Sequence, residues 1–369
     1  MDVFELGDEL GPAKVLHVYE PAIGLRGILV VDNVAAGPSI GGLRMAPDVS
    51  LQECARLARA MTFKNAAAGL RHGGGKSVLF ADPAMPADRK ETMIRAFAAA
   101  IGHETDYIVG PDMGTNETCM AWVHDEIGRS VGLPREIGGI PLDQIGATGW
   151  GLYHAIDVAA PSAGIDLEKA TFAVQGYGAV GRHVSRFLTQ RGAKLVAASD
   201  SRGAAVDPDG LDIKRLDALK REGRSVAEYA DGRAGQGRDI VDVDADIWIP
   251  AARPDVIDSG NVGRLKAKMV AQGANIPVSA DAEKTLAERG ILNLPDFIAN
   301  AGGVICAAME YAGASQTAAF DTIEEKVRDN VGEVLDRMKR GSVTPREAAV
   351  ALAADRVHRA MGFRRWSIY

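Results

Sequence analysis

One stretch constrains the fold of this chain more than any other: the apolar run Thr171-Phe172-Ala173-Val174-Gln175, followed at once by Gly176-Tyr177-Gly178-Ala179-Val180-Gly181. The first part has strand length. After the glycines, Arg182 to Arg191 reads as an amphipathic helix, and Lys194 to Ser199 as a second strand ending in Asp200. A GxGxxG string alone is a weak signal; here it follows a strand, opens a helix, and has an acidic residue about twenty positions on, which makes a complete βαβ unit. The first glycine makes the tight turn, the second lets a pyrophosphate approach, and the third allows close helix packing. Ala179 and Val180, within the same fingerprint, are expected at the cofactor, and the N-terminus of the helix that follows attracts phosphate. The alternative is a glycine-rich turn without a ligand. Asp200 is placed to bond the adenine ribose hydroxyls, so NAD is the expected cofactor; Ser201 and Arg202 follow it, and an arginine there can accept a 2′-phosphate, which keeps NADP open.

Two lysines stand twelve residues apart upstream, Lys64 in Met61-Thr62-Phe63-Lys64 and Lys76 behind Gly73-Gly74-Gly75. Three glycines let a backbone approach a ligand and take dihedrals a Cβ would forbid. The pattern suggests a lysine-lined pocket. A lysine beside another cation in a site that excludes water has its pKa pulled down toward the working pH, where it serves as acid or base. Read singly, each lysine is a solvated surface charge.

Taken together the motifs resemble the glutamate, leucine, phenylalanine and valine dehydrogenase superfamily, the amino acid dehydrogenases. The resemblance rests on Gly37-Pro38-Ser39-Ile40-Gly41-Gly42-Leu43-Arg44, Met61 to Lys64, Gly73 to Lys76, Gly110-Pro111-Asp112, the dinucleotide fingerprint, and Asn300-Ala301-Gly302-Gly303-Val304. It implies that Lys64 holds the substrate α-carboxylate, that Lys76 is the catalytic lysine, and that Asp112 shuttles a proton at the amine. It also implies cofactor contacts from Ala251, Asn275 and Asn300. The chemistry needs these types: a cation to anchor a carboxylate, a group that activates water and stabilises a tetrahedral intermediate, and a carboxylate that moves protons to and from nitrogen. Asp112 follows Pro111, so a plain turn former is the competing reading.

In the glutamate enzymes the resemblance puts a lysine and a hydroxyl on the substrate's side-chain carboxylate, at positions that here read Ile40 and Ala307. Neither pairs a carboxylate, and an unpaired buried charge costs several kcal/mol or more. Ile40, Gly41, Val304 and Ala307 are therefore expected to line an apolar side-chain pocket, with Gly110 leaving one wall without a side chain. Leucine, valine or phenylalanine is the expected substrate type and glutamate the alternative. Segments such as Ala147-Thr148-Gly149-Trp150-Gly151 and Ile323-Glu324-Glu325-Lys326-Val327 look more like the glutamate branch. A reading from another class is a homologue that binds nicotinamide without turnover; intact Lys64, Lys76 and Asp112 argue against it. A 2-hydroxy acid dehydrogenase would need a His/carboxylate pair that the sequence does not display.

At 369 residues, two domains are expected. The sequence reads as α/β throughout: a substrate-binding domain over 1–145, a Rossmann-type domain over 146–330, and a C-terminal stretch 331–369 returning to the first, with the active site in the cleft between them. Strands are expected at Gly27–Asp32, Ser77–Phe80, Ile247–Ile249, Met269–Ala271 and Ile291–Leu294. Helices are expected at Leu51–Ala68, Arg89–Gly102, Asn116–Val131, from about Trp150, and at Ile323–Lys339. Gly138–Gly146 is the linker candidate and Gly232–Gly237 an exposed loop. A net charge of −7 gives no support to nucleic-acid binding, and the basic end at Arg364-Arg365-Trp366 reads as a solvated helix face. Cys54, Cys119 and Cys306 have no paired spacing and the seven histidines no ligand spacing, so neither disulfides nor a metal is expected. Without a basic leader at Met1–Leu10 or an apolar run of about eighteen residues, a cytoplasmic chain is expected, with no membrane partner. The resemblance implies a homo-oligomer, hexamer or octamer.

Overall fold

A computed structural model of the chain describes residues 3–229, 233–235 and 240–364. Its strands are β1 (Lys14–Glu20), β2 (Leu25–Asn33), β3 (Ser39–Ala46), β4 (Gly73–Phe80), β5 (Tyr107–Pro111), β6 (Thr171–Gln175), β7 (Lys194–Asp200), β8 (Gly203–Val206), β9 (Arg233–Gly235), β10 (Ile247–Pro250), β11 (Met269–Ala271) and β12 (Leu292–Leu294). Its helices are α1 (Leu51–Ala67), α2 (Ala87–Ala100), α3 (Glu117–Ile127), α4 (Leu142–Ile145), α5 (Ala147–Ala159), α6 (Ala179–Gln190), α7 (Ile213–Arg221), α8 (Ala280–Glu288), α9 (Asp296–Ala299), α10 (Gly302–Tyr311), α11 (Gln316–Gly341) and α12 (Pro345–Gly362), with short 3-10 turns besides. Two compact units result: residues 1–142, 304–319 and 350–369 form the first, 143–303 and 320–349 the second. The expected return at 331 is thus displaced, since 320–349 stays with the second unit while 304–319 and 350–369 join the first.

In the first unit five strands run in the order β1-β2-β4-β3-β5; β1, β2 and β4 pair antiparallel, whereas β4, β3 and β5 are parallel. Both faces are covered, so β2 and β4 are buried along nearly their whole length rather than at alternate residues. Ile28, Val30 and Val78 point to one face, where Cys54 and Ala58 of α1 meet them. Leu29, Val31, Leu43 and Leu79 point to the other, against Ile94 and Phe97 of α2 and Met120 and Val123 of α3. Helix α1 starts where Ser50 caps it, its hydroxyl accepting from the Glu53 N–H at 3.1 Å.

The strand expected at Ser77 begins instead at Gly73, because the three glycines belong to β4 rather than to a loop ahead of it. Close approach, not special dihedrals, explains them. A Cβ on Gly73 would collide with the Asn33 carbonyl of β2 and one on Gly74 with Thr62 of α1. Glycine is what lets α1, which carries Lys64, lie down on the strand that carries Lys76.

In the second unit the sheet order is β12-β11-β10-β6-β7-β8-β9, parallel from β12 to β7 with an antiparallel edge at β8 and β9. The chain leaves β6 on one side toward β7 and comes back on its other side at β10. That is a topological switch point, the place where open α/β sheets bind ligands beyond the carboxyl ends of their strands. The helix expected from Arg182 already starts at Ala179. The Asn116–Val131 helix stops at Ile127, where Gly128 takes the left-handed conformation (φ 66°). The linker candidate contains the single turn α4. Of the expected Gly232–Gly237 loop, 233–235 form β9; the rest of it, and Arg365 and Trp366 of the basic end, lie outside the described residues.

Candidate active site and dinucleotide cradle

Lys76 sits in the middle of β4 and is only 6% exposed. Its Nζ lies 2.6 Å from Oδ2 of Asp112, just past the end of β5. Arg44 of β3 donates from Nε to the same oxygen at 3.0 Å, and its Nη1 pairs with Glu53 of α1. Two cations therefore share one carboxylate oxygen. Burial pushes the Asp112 carboxyl up, but Lys76 and Arg44 outweigh it and hold it below the ordinary carboxylate value. Asp112 is a turn residue as well: Thr115 N–H donates to its carbonyl at 2.9 Å and its own N–H donates to the Thr115 hydroxyl at 3.0 Å. The turn fixes the backbone and leaves the carboxylate to the cations. The cation that stands beside Lys76 on Asp112 is Arg44, a residue the sequence reading quoted in a motif without giving it a role. Lys64 lies half-buried in the last turn of α1.

The space for the pair is made by Gly42 of β3, where a Cβ would come within 2.8 Å of the Asp112 Cβ and 3.1 Å of Lys76 Nζ. Beneath it, the buried Tyr107 hydroxyl bonds Ser77 Oγ at 2.9 Å and donates to the Gly41 carbonyl at 2.9 Å, tying β5, β4 and β3 together. Asn65, next to Lys64, donates through Nδ2 to the Gly73 carbonyl at 2.7 Å and the Ile40 carbonyl at 3.3 Å. It fixes the helix with one lysine to the strand with the other.

Ile40 (3% exposed) packs with Ile108, Val131, Ala307 and Ala308 in a small apolar cluster, with Leu70 at its edge. Val304 is half-buried on α10 but is not part of that cluster. Gly41 is required by contact, since a Cβ would meet the Gly75 carbonyl; a Cβ on Gly110 would find only ordinary contact, 3.4 Å to Val131. Gly110 therefore leaves space that a Cβ could occupy. Glu310, one turn beyond Ala307, accepts from the backbone N–H groups of Gly132 (2.7 Å), Leu133 (3.0 Å) and Ile140 (2.7 Å). It clamps the segment after Val131 to α10. Its only sequence signal is a lone acid in an otherwise apolar helix.

In the second unit Gly176 takes φ 101°, and a Cβ there would lie 2.6 Å from that of Ala252. A Cβ on Gly181 would strike the Gly176 carbonyl, whereas nothing lies within 4 Å of one built on Gly178. The turn is tight, the helix is close, and the middle glycine faces open space at the N-terminus of α6, which fits a dinucleotide phosphate. Ala251 N–H donates to the Gln175 carbonyl at 2.7 Å, holding the end of β10 against that of β6. Asn300 donates to Asn275 Oδ1 (3.0 Å) and the Ala274 carbonyl (3.2 Å), and its own Oδ1 is buried without a partner.

Asp200 departs from the simple expectation. Its Oδ1 accepts from Arg202 N–H (2.9 Å) and the Ser225 hydroxyl (2.8 Å), its Oδ2 from Lys220 Nζ (2.9 Å) and Val226 N–H (3.0 Å). Burial is outweighed by these donors, Lys220 first, which hold the carboxyl far below its usual range. All four acceptor directions are engaged, so Asp200 is not an open ribose acceptor here. Arg202 turns its guanidinium to the Gly223 carbonyl at 2.7 Å, and Ser201 is exposed in the turn between β7 and β8. Lys220, a cation on this carboxylate, was not legible in the sequence.

Among the described residues no group of His, Cys, Asp and Glu could hold a metal, no helix is long and apolar enough to cross a membrane, and all three cysteines are buried and free.

Residues 138–365 match the family described as Glutamate/Leucine/Phenylalanine/Valine dehydrogenase, and residues 12–129 its dimerisation domain. A glutamate dehydrogenase of Aeropyrum pernix is 37% identical over 358 residues, 90% of this chain and 85% of that protein. The leucine-bound hetero-hexameric glutamate dehydrogenase of Thermus thermophilus superposes with a TM-score of 0.84 at 28% identity, covering 96% of this chain and 90% of that one. The L-tryptophan dehydrogenase of Nostoc punctiforme does so with 0.74 at 25% identity, covering 95% and 97%. The expected leucine, valine or phenylalanine substrate finds no support in the names of the glutamate dehydrogenases, which fit the glutamate alternative better. The chain belongs to the glutamate/leucine/phenylalanine/valine dehydrogenase family and is an NAD(P)-dependent amino acid dehydrogenase.

Proposed function

We propose that this enzyme catalyses the reversible oxidative deamination of an L-amino acid with an apolar side chain to its 2-oxo acid and ammonia, with NAD preferred. The observation that carries the reaction is the near-buried Lys76 paired at 2.6 Å with an ionised Asp112. The nicotinamide cofactor, when bound, accepts the hydride from the substrate Cα. Lys64 anchors the α-carboxylate. Asp112 takes a proton from the α-ammonium, giving the free amine that can lose hydride. Lys76 then polarises the water that adds to the iminium carbon and stabilises the oxygen of the tetrahedral adduct. Asp112 returns its proton to nitrogen, and as the C–N bond breaks and ammonia leaves, the oxygen becomes the 2-oxo carbonyl, both protons of the water passing to solvent.

Two observations pull apart on the side chain. Ile40 and Ala307 sit together in an all-apolar cluster, and a glutamate side-chain carboxylate placed against it would be desolvated without a partner. That supports an apolar substrate. The names of the relatives support glutamate, which stands as the second reading. NAD preference rests on the charge of Asp200 alone, which repels a 2′-phosphate although its acceptor sites are taken, and Lys220 beside it weakens that repulsion. The hexameric relative supports an oligomer. Following NADH and NADPH absorbance with leucine, valine, phenylalanine, tryptophan and glutamate tests all of this at once: no turnover on any amino acid sinks the reaction, and a clear preference for glutamate sinks the apolar reading.

A further inference from the structure

Lys76 and Asp112 do not stand alone, because Arg44 and Glu53 extend them into a row of alternating charge that crosses β4, β5, β3 and α1. Arg44 is mostly buried, with its side chain 17% exposed, and its guanidinium is divided between the two carboxylates. A planar guanidinium fixed at both ends fixes the carboxylate it touches. The other titratable groups facing the row are Cys54 of α1 and Tyr107 of β5. Burial pushes the Cys54 thiol up to about 12 and the Tyr107 phenol higher still, so both are neutral and the charges acting on Arg44 and Asp112 are those of Glu53 and Lys76.

We propose that Arg44, clamped by Glu53, is a positioning residue for Asp112: with Lys76 it holds Oδ2, turns Oδ1 to the substrate nitrogen, and keeps the carboxylate ionised before substrate arrives. The inference rests on the deamination reading, in which Asp112 exchanges protons with the amine. Arg44 touches Asp112 and itself moves no proton; every proton still passes through Asp112. Its removal leaves one cation where two had shared the oxygen. The carboxylate then titrates higher and swings about its Cα–Cβ bond.

The test is the pH profile of kcat/KM, with separate kcat and KM, for Arg44→Met, Arg44→Lys, Glu53→Gln, Asp112→Asn and the double variant Arg44→Met/Asp112→Asn. Arg44→Met should move the acid limb to higher pH and lower kcat about tenfold or more, a part of the roughly hundredfold worth of an acid–base group, with the cofactor KM unchanged. Arg44→Lys should keep the acid limb near its parental position. Glu53→Gln, which takes an anion out of the row and leaves Arg44 on Asp112, should lower kcat by loosening the guanidinium without moving the limb up. Because Arg44 acts through Asp112, the double variant should be no slower than Asp112→Asn alone. Should Arg44→Met fail to fold, Arg44→Gln carries the same measurement, since it too leaves Lys76 as the one cation on Asp112. An unmoved acid limb in the folded uncharged variant, or additive losses in the double variant, overturns the proposal while leaving the deamination reading intact. Wild-type turnover in Asp112→Asn overturns that reading, and the role of Arg44 with it.

Discussion

The Lys76 Nζ to Asp112 Oδ2 ion pair, 2.6 Å long, is made across an intervening strand: Lys76 is on β4, Asp112 follows β5, and β3 lies between, with Gly42 where a side chain would block the contact. Gly42 stands opposite Gly110 in the β3–β5 register. Gly42→Ala should therefore push the two groups apart without removing either. The expected result is a loss of kcat of at least about tenfold, since small misplacements of catalytic groups are costly, with a lowered melting temperature as well, because the Cβ would also lie 2.9 Å from the Pro111 carbonyl oxygen. Parental kcat in Gly42→Ala would show that the pair does not need the gap.

Removing the groups themselves separates their roles. Lys76→Ala should lower turnover by at least about a hundredfold, the low end for an acid–base group, with cofactor binding intact. Lys64→Ala should act chiefly by raising the Michaelis constant for the amino acid. Steady-state kinetics of both variants checks this; a Lys64→Ala enzyme with an unchanged KM is not losing a carboxylate anchor.

The cofactor preference has a stated dependence on Asp200. Asp200→Ser removes the anion and frees Lys220, which should narrow the preference for NAD over NADP. The ratio of kcat/KM for the two cofactors measures it. Tighter use of NADP by the parent would mean that Lys220 and Arg202 outweigh Asp200.

How much of this was legible in the sequence follows from where each signal is local. The βαβ unit was, because strand, glycines, helix and Asp200 are contiguous and each follows from backbone sterics. Lys76 and Asp112 were named from motifs, but their pairing depends on strand order, which no local pattern encodes. Arg44, Glu53 and Lys220 were missed for the same reason: each meets its partner only after the chain has folded back over 68, 9 and 20 residues respectively. The glycines before Lys76 fall outside the strand expected at Ser77 because triple glycine disfavours a strand locally, and tertiary packing of α1 overrides that preference. The boundary inside α10, between Gly303 and Val304, was missed because no sequence break marks it: one helix runs across it.

His154 gives a prediction about acid stability. It is buried on α5; Arg328 Nη1 donates to its Nδ1 at 3.1 Å, so the proton is on Nε2, which makes no hydrogen bond and faces Glu324 Oε2 at 3.6 Å. Burial first, then Arg328, holds its pKa down to about 4. An unfolded histidine titrates near 6.5, so between about 4 and 6.5 the unfolded chain binds more protons and folding stability falls as the pH drops. The full effect approaches about 3 kcal/mol. Urea unfolding at pH 7 and pH 4.5 should show a smaller acid loss for His154→Phe than for the parent; equal losses would assign the acid sensitivity elsewhere.

The substrate side chain is tested most directly by rebuilding the apolar cluster. Ile40→Lys with Ala307→Ser supplies a cation and a hydroxyl where the cluster of Ile40, Ile108, Val131 and Ala307 now offers none. Activity should move toward glutamate, because a buried charge pair with added hydrogen bonds recovers much of the desolvation that an apolar pocket leaves uncompensated. Each single change should do less, since it leaves part of the carboxylate unsatisfied. Activity on leucine and phenylalanine should fall in the same variants, where an unpaired lysine would face the apolar side chain. The comparison is of kcat/KM for glutamate, leucine and phenylalanine across parent, singles and double. If the parent already prefers glutamate over every apolar amino acid, Ile40 and Ala307 do not set the specificity, and the glutamate reading takes the place of the apolar one.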